Sequence, residues 1–352
     1  MEGKIGYSLR RSWDYMNIKK ANRIFLLSVT LITFTIILKG YGDFSKLMGQ
    51  TNIRYLEMAM MMMVIDWLFD GFILNIITET VHGNISYFRS LRIAIIGQYY
   101  NAITPFSTGG QPVQVYLMSK DNISVTKGST ILFNKFIIYQ MAVTFYSLTM
   151  LVSKIGFILN DAKAAIPFIA IGFLVNLVIL VGIILLFYKP QWIRPIIVYC
   201  YKGLYKIKII KDLNKHIDKL DTTMEEYEQS LSKIKENRAT SIKLFLLTLI
   251  QLTCYFSITY FVYMALGLEG ASFLDIIAVQ SLVYMAASYI PTPGTAGASE
   301  GGYYILFKPL FTKNFIGYAL LLWRSISYYF RLIITGLVAL IDTIIRNRKA
   351  VV

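Results

Sequence analysis

The sequence predicts an all-α polytopic membrane protein made of two inverted-topology repeats, each of three spans plus a re-entrant helical hairpin. Three observations predict it. The 352-residue chain is 56% apolar, and its apolar runs are long enough to cross roughly 30 Å of hydrocarbon, which takes about 20 helical residues. Its 35 Lys and Arg gather in particular loops. One polar pattern, Pro-x-[Ser/Thr]-x-Gly-[Gly/Ala], interrupts apolar sequence twice, at 105–110 and again 188 residues later at 293–298.

The apolar runs lie at 24–38, 55–78, 131–151, 166–188, 244–266 and 315–345. No small-x-small cleavage site follows the first, so it is expected to stay as a span. Six Lys/Arg precede it, twelve lie between Lys189 and Lys243, and three follow Asp342. Positive loops stay inside, which puts both termini and the 189–243 loop in the cytoplasm of a multi-pass protein of a bacterial-type plasma membrane. Topology thus accounts for the net charge of +15, and no nucleic-acid partner is expected.

Threading the chain under that rule gives the first repeat, 1–152. Its re-entrant segment, 94–118, is flanked by Arg89, Arg92 and Lys120 and dips in from the cytoplasm. The second repeat, 153–352, follows the same order upside down, with a re-entrant segment at 274–310. The offset of 188 carries 55–78 onto 243–266 and 131–151 onto 319–339. Within a bilayer, broken backbone is tolerated only where it is buried in protein or lines a wet cavity. Paired interruptions in two halves point to a transporter's binding site.

Between the spans, 206–236 reads as one amphipathic cytoplasmic helix. Ile210, Leu213, Ile217, Leu220, Met224, Tyr227, Leu231 and Ile234 follow steps of three and four. That seam could meet a partner helix, the anionic inner leaflet, or the protein's own bundle.

Enzyme signatures are sparse. The two His and two Cys have no metal or redox spacing, so no cofactor or metal is expected. The glycine-rich 294–302 stretch lacks the Lys-Ser/Thr of a phosphate-binding loop. What remains is charge at membrane depth, which is costly and by default functional. Asp66 and Asp70 share a helix face, Lys135 and Arg324 occupy nearly matching places in the two halves, and Glu300 lies at the second hairpin's tip. The broken motifs add Asn101, Thr104, Ser107, Thr108, Gly109, Gly110, Gln111, Pro293, Gly294 and Gly297. Cations and free N–H groups suit a phosphate, and carboxylates suit an ammonium, so a headgroup bearing both fits the set. The alternative is that these charges pair with one another to hold the bundle. Arg331 and Asp275 read as lying near an interface. Tyr99, Tyr100, Tyr303, Tyr304, Tyr328 and Tyr329 read as interfacial anchors, with cavity lining as the lesser option.

Two stretches carry a resemblance. Gly97-Gln98-x-x-Asn101-x-x-Thr104-Pro105, running into Ser107-Thr108-Gly109-Gly110-Gln111-Pro112, resembles the first signature of the lysylphosphatidylglycerol synthase transmembrane family. Pro291-Thr292-Pro293-Gly294-x-x-Gly297-x-x-Glu300 resembles its second. The resemblance implies the flippase half of multiple peptide resistance factors, which moves anionic or aminoacylated phospholipid such as lysyl-phosphatidylglycerol and lowers attraction for cationic antimicrobial peptides. Membrane phospholipids, a separate aminoacyl-lipid synthase and a second copy of the chain are the implied partners. Family naming also implies an alternative, phosphatidylglycerol lysyltransferase, which takes lysine from Lys-tRNA. The soluble transferase domain that usually follows is not present in this sequence.

Overall fold

The computed structural model describes residues 44–206, 212–288, 290–311 and 315–351. The expected span at 24–38 lies outside them, as does Ile210 of the amphipathic seam. Every regular element among the described residues is helical. Five helices are long and apolar enough to cross a membrane: Ile53–Val81, Val125–Ser153, Lys163–Leu185, Arg238–Ala265 and Ile316–Arg346. Each overlaps a run expected from hydropathy, and the chain is a membrane protein.

In chain order the helices are α1 (Phe44–Gln50), α2 (Ile53–Val81), α3 (Tyr87–Ile103), α4 (Gly110–Lys120), α5 (Val125–Ser153), α6 (Ile155–Asn160) and α7 (Ile166–Tyr188). They continue as α8 (Ile193–Lys206), α9 (Leu213–Glu236), α10 (Arg238–Ala265), α11 (Phe273–Ala287), α12 (Ala298–Phe307), α13 (Ile316–Arg324) and α14 (Arg331–Val351). A π-helical stretch, Ser325–Phe330, joins the last two into one span.

Local chemistry sets the ends. The side chains of Asn52 and Ser124 accept from backbone N–H groups in the first turns of α2 and α5. Ser272 and Asp275 form a reciprocal capping box on α11. Asp275, expected near an interface, also takes Lys154 Nζ at 2.5 Å, which ties the start of α11 to the end of α5. A second cluster ties the first hairpin to the last helix: Arg92 meets Asp121 at 2.7 Å and Asp342 at 3.5 Å, while Arg346 meets Asp342 at 3.0 Å.

Helix pairs α3/α4 and α11/α12 replace the two interrupted segments, each pair packed on itself around a tight turn. The first runs wider than the expected 94–118, because helix begins at Tyr87 after Ser86. With 17 and 11 residues, then 15 and 10, the limbs reach only about 15–25 Å. That is short of the roughly 30 Å of a bilayer core.

Of the expected 206–236 helix, 213–236 is helical as α9, Lys206 belongs to α8, and 207–211 lie outside the described residues. Helix α9 rests on α2, α5 and α10, with Leu220 and Leu231 buried and Tyr227 6.1 Å from the Phe133 ring. Of the three options for this seam, the protein's own bundle is the one observed.

Two apolar clusters run through the same helices. One holds Ala59, Met63 and Trp67 of α2 with Ala142, Val143 and Tyr146 of α5. The other holds Ile73, Leu74 and Ile77 of α2 with Ile131, Leu132 and Ile138 of α5. Polar residues occupy the changeover. Asp66 and Asp70 flank the middle of the 29-residue α2, Tyr139 is the middle of the 29-residue α5, and Gln251 sits midway along the 28-residue α10.

Candidate functional site

A cavity of about 520 Å³ opens at this changeover, lined by α2, α3, α5, α10, α11, both tight turns and the last span. Its volume lies within the range of small-ligand pockets. Nine of the expected residues line it: Asp66, Asp70, Asn101, Ser107, Thr108, Gln111, Lys135, Gly294 and Arg324. Thr104, Gly109, Gly110, Pro293, Gly297 and Glu300 are absent from its wall and act behind it.

The supporting set shapes the two turns. Thr104 Oγ1 accepts the N–H of Gly109 at 2.9 Å, and Asn101 Oδ1 accepts that of Gly110 at 2.8 Å. These bonds take up backbone donors at the start of α4. Gly110 is required by contact, because a Cβ there would lie 2.4 Å from both Asn101 Oδ1 and the Gly97 carbonyl.

The turns repeat each other at the backbone. Thr104 has φ −115, ψ 146 and Thr292 has φ −119, ψ 144; two residues on, Phe106 has φ 55, ψ 11 and Gly294 has φ 59, ψ 24. Ser107 and Thr295 follow with φ 53 and φ 55. Their N–H groups donate to the carbonyls of Thr104 and Thr292 at 3.2 and 3.1 Å. Three non-glycine residues are thereby held in the left-handed region, a strain of about 1–3 kcal/mol each that clusters at functional sites. The turns also touch one another.

Ion pairing divides the charges into two groups. Lys135 Nζ lies 2.6 Å from Asp70 Oδ1, and Gln98 donates to the other Asp70 oxygen at 3.2 Å. Arg324 Nε lies 2.5 Å from Glu300 Oε1, its Nη2 donates to the Gly294 carbonyl at 3.0 Å, and its guanidinium stacks 5.0 Å from the Tyr328 ring centroid. Glu300 Oε2 accepts the Gly297 N–H at 2.7 Å, so one carboxylate caps α12 and fixes Arg324. These four charges neutralise each other, as the pairing alternative holds.

Two charges of the wall stay outside those pairs. Asp66, 7% exposed, accepts Gln251 Nε2 at 3.1 Å and has no direct ion pair among the described residues, with Arg331 and Lys135 within electrostatic reach. Arg331 lines the cavity rather than an interface, has no carboxylate within ion-pair distance among the described residues, and its buried Nε lacks a hydrogen-bond partner. Gln280, fully buried in the wall, donates from Nε2 to nothing in the described protein. Tyr139 and Tyr284 bond hydroxyl to hydroxyl across it.

Several of these residues escaped the sequence reading. Gln251 and Gln280 are polar residues within apolar helical runs, a signal present but weaker than charge, while Gln98 enters the sequence reading only as part of the first signature. Tyr303 and Tyr328 are buried, not interfacial. Tyr328 lines up with the first hairpin instead, donating its hydroxyl to the Ala102 carbonyl at 3.2 Å.

Compared with known proteins, residues 24–335 match the family described as the lysylphosphatidylglycerol synthase TM region. A UPF0104 membrane protein of Archaeoglobus fulgidus is 28% identical over 287 residues, 80% of this chain and 84% of its own length. A UPF0104 membrane protein of Pyrococcus horikoshii is 21% identical over 343 residues, 94% of this chain and 98% of its own.

Proposed function

Because the chain belongs to the family of lysylphosphatidylglycerol synthase transmembrane regions, we propose that it is a phospholipid translocator whose headgroup site is the mid-span cavity. The observation that carries the reading is the leftover charge. Among the described residues Asp66 and Arg331 make no direct ion pair, although they lie within electrostatic reach of one another, while their neighbours are paired at contact distance. An isolated buried charge is costly unless something compensates it. A headgroup with an amine and a phosphate supplies both partners, the amine to Asp66 and the phosphate to Arg331 and the free Gln280 amide. Aminoacylated phosphatidylglycerol has that chemistry.

The matched φ/ψ values and hydrogen bonds of the two turns support inverted repeats, 1–152 and 153–352, whose short hairpins dip from opposite leaflets. Burial of the site at mid-helix on three spans supports a rocking mechanism around a fixed midplane site. Both termini then face the cytoplasm of the cell membrane, and a separate aminoacyl-lipid synthase supplies the cargo. Placing that cargo in the outer leaflet lowers attraction for cationic peptides.

Proteoliposomes carrying fluorescent aminoacylated lipid test the reading. Asp66→Asn and Arg331→Gln each remove one headgroup contact without breaking an ion pair. Each is expected to slow translocation by about tenfold or more, the equivalent of one lost charge-assisted hydrogen bond, at an unchanged melting temperature. Wild-type rates in both variants would refute the site. The word "synthase" in the family description favours a second reading, lysyl transfer from Lys-tRNA to phosphatidylglycerol. Labelled lipid formed by the purified chain from labelled lysyl-tRNA would put that reading in place of the first.

A further inference from the structure

We propose that α8 is an interfacial helix, its outward face seated in the anionic lipid surface at which the α7 span ends. Trp192 in the preceding turn and Ile196, Tyr199 and Cys200 in the helix follow helical spacing, so they share one face. Trp192, Ile196 and Tyr199 are 53%, 61% and 79% exposed. The opposite face holds Ile197, Val198, Tyr201 and Leu204, all partly buried, with the Tyr201 ring 5.7 Å from His216 of α9.

The protein fixes this orientation. Arg194 binds Asp221 of α9 through two bonds, at 2.7 and 2.8 Å, and they hold the Asp221 carboxyl below its usual range. Helix α9 in turn rests on the bundle, so the aromatic face of α8 is not free to turn inward.

Geometry and charge identify what covers that face. Four residues separate the end of α7 from the start of α8, a reach of at most about 14 Å. Lys189 Nζ folds over the Trp192 ring at 5.1 Å within that connection. The helix therefore remains at the level of lipid headgroups, where Trp and Tyr concentrate. Lys202 and Lys206 are exposed along one edge of the apolar face. An aromatic and aliphatic face edged with lysine is the pattern of helices that lie in the plane of an anionic interface.

The full chain carries its own probe, since it has only two cysteines and Cys200 is exposed on the proposed face. With Cys254→Ser, a nitrobenzoxadiazole label on Cys200 is read in nanodiscs of phosphatidylcholine with or without phosphatidylglycerol. In anionic discs its emission should shift to the blue and be quenched more by headgroup-level spin-labelled lipid than by aqueous iodide. A label at Tyr205→Cys, on the other side of the helix in a Cys200→Ser, Cys254→Ser background, should show the reverse order. Lys202→Glu with Lys206→Glu should erase the difference between anionic and neutral discs.

Equal iodide quenching at positions 200 and 205 would overturn the proposal. So would shielding of Cys200 that persists in detergent and grows with protein concentration, which would mean a second copy covers the face. Shielding that ignores both phosphatidylglycerol and the charge reversal would overturn the anionic assignment. None of these readouts involves lipid movement, so the result stands apart from the translocator reading.

Discussion

Arg324→Ala is expected to lower the unfolding free energy by about 3–5 kcal/mol, the cost of removing one partner from a buried ion pair. Arg324 is 6% exposed, and its guanidinium has three tasks. It neutralises Glu300, satisfies the Gly294 carbonyl, and stacks on Tyr328. Truncation leaves a carboxylate behind the cavity wall without its cation and a turn carbonyl without its donor. Adding Glu300→Gln removes the orphaned charge while keeping a group that can meet the Gly297 N–H. The double variant should therefore regain part of the loss, and a double-mutant cycle on thermal unfolding in detergent measures how much. An unchanged melting temperature for Arg324→Ala would mean that the pair does not hold the second turn.

Element positions were legible because lipid allows few backbone solutions. Long apolar runs must be helices, and a Pro-Gly break within one must be shielded by protein. That logic placed α7 at 166–188 to the residue. Polarity inside the spans was harder to read. Charge announces itself, so Asp66, Asp70, Lys135 and Arg324 stood out and meet at one cavity. Glutamine does not, although Gln251 sits midway along α10 and answers Asp66.

Arg331, on the same face as Arg324, reads from sequence as lying near an interface, yet it falls at the midpoint of the Ile316–Arg346 span. Between the two arginines lies the π-helical stretch, whose wider turn no hydropathy pattern encodes and which recurs at functional sites. Tyr303 and Tyr328 depart from the expectation for a related reason. Amphipathic rings favour interfaces on average, but Tyr328 has a particular carbonyl to reach on Ala102 and a particular glycine to cover.

That glycine gives the second large expected effect. Gly294→Ala meets two obstacles at once. Its φ of +59 lies where an L-residue costs roughly 1–2 kcal/mol. Its new Cβ would sit 2.1 Å from Tyr328 Cε2, and overpacking of this kind costs a further 1–3 kcal/mol or so. Tyr328 cannot swing aside cheaply, because its hydroxyl is bonded to Ala102 of the first hairpin and its ring faces Arg324. Displacing it would loosen the contact between the first hairpin and the last span.

Tyr328→Ala alone should also destabilise, by leaving a cavity, yet in the double variant the clash disappears. The two changes together should therefore cost less than their sum, and strict additivity on chemical or thermal unfolding would sink the account. The first turn supplies the converse. Phe106 holds φ 55 with its side chain half exposed, so Phe106→Gly releases strain without emptying a core. It is expected to raise stability by about 1 kcal/mol. Opposite signs at two positions 188 residues apart would follow from one shared backbone conformation, carried by glycine in one copy and imposed on phenylalanine in the other.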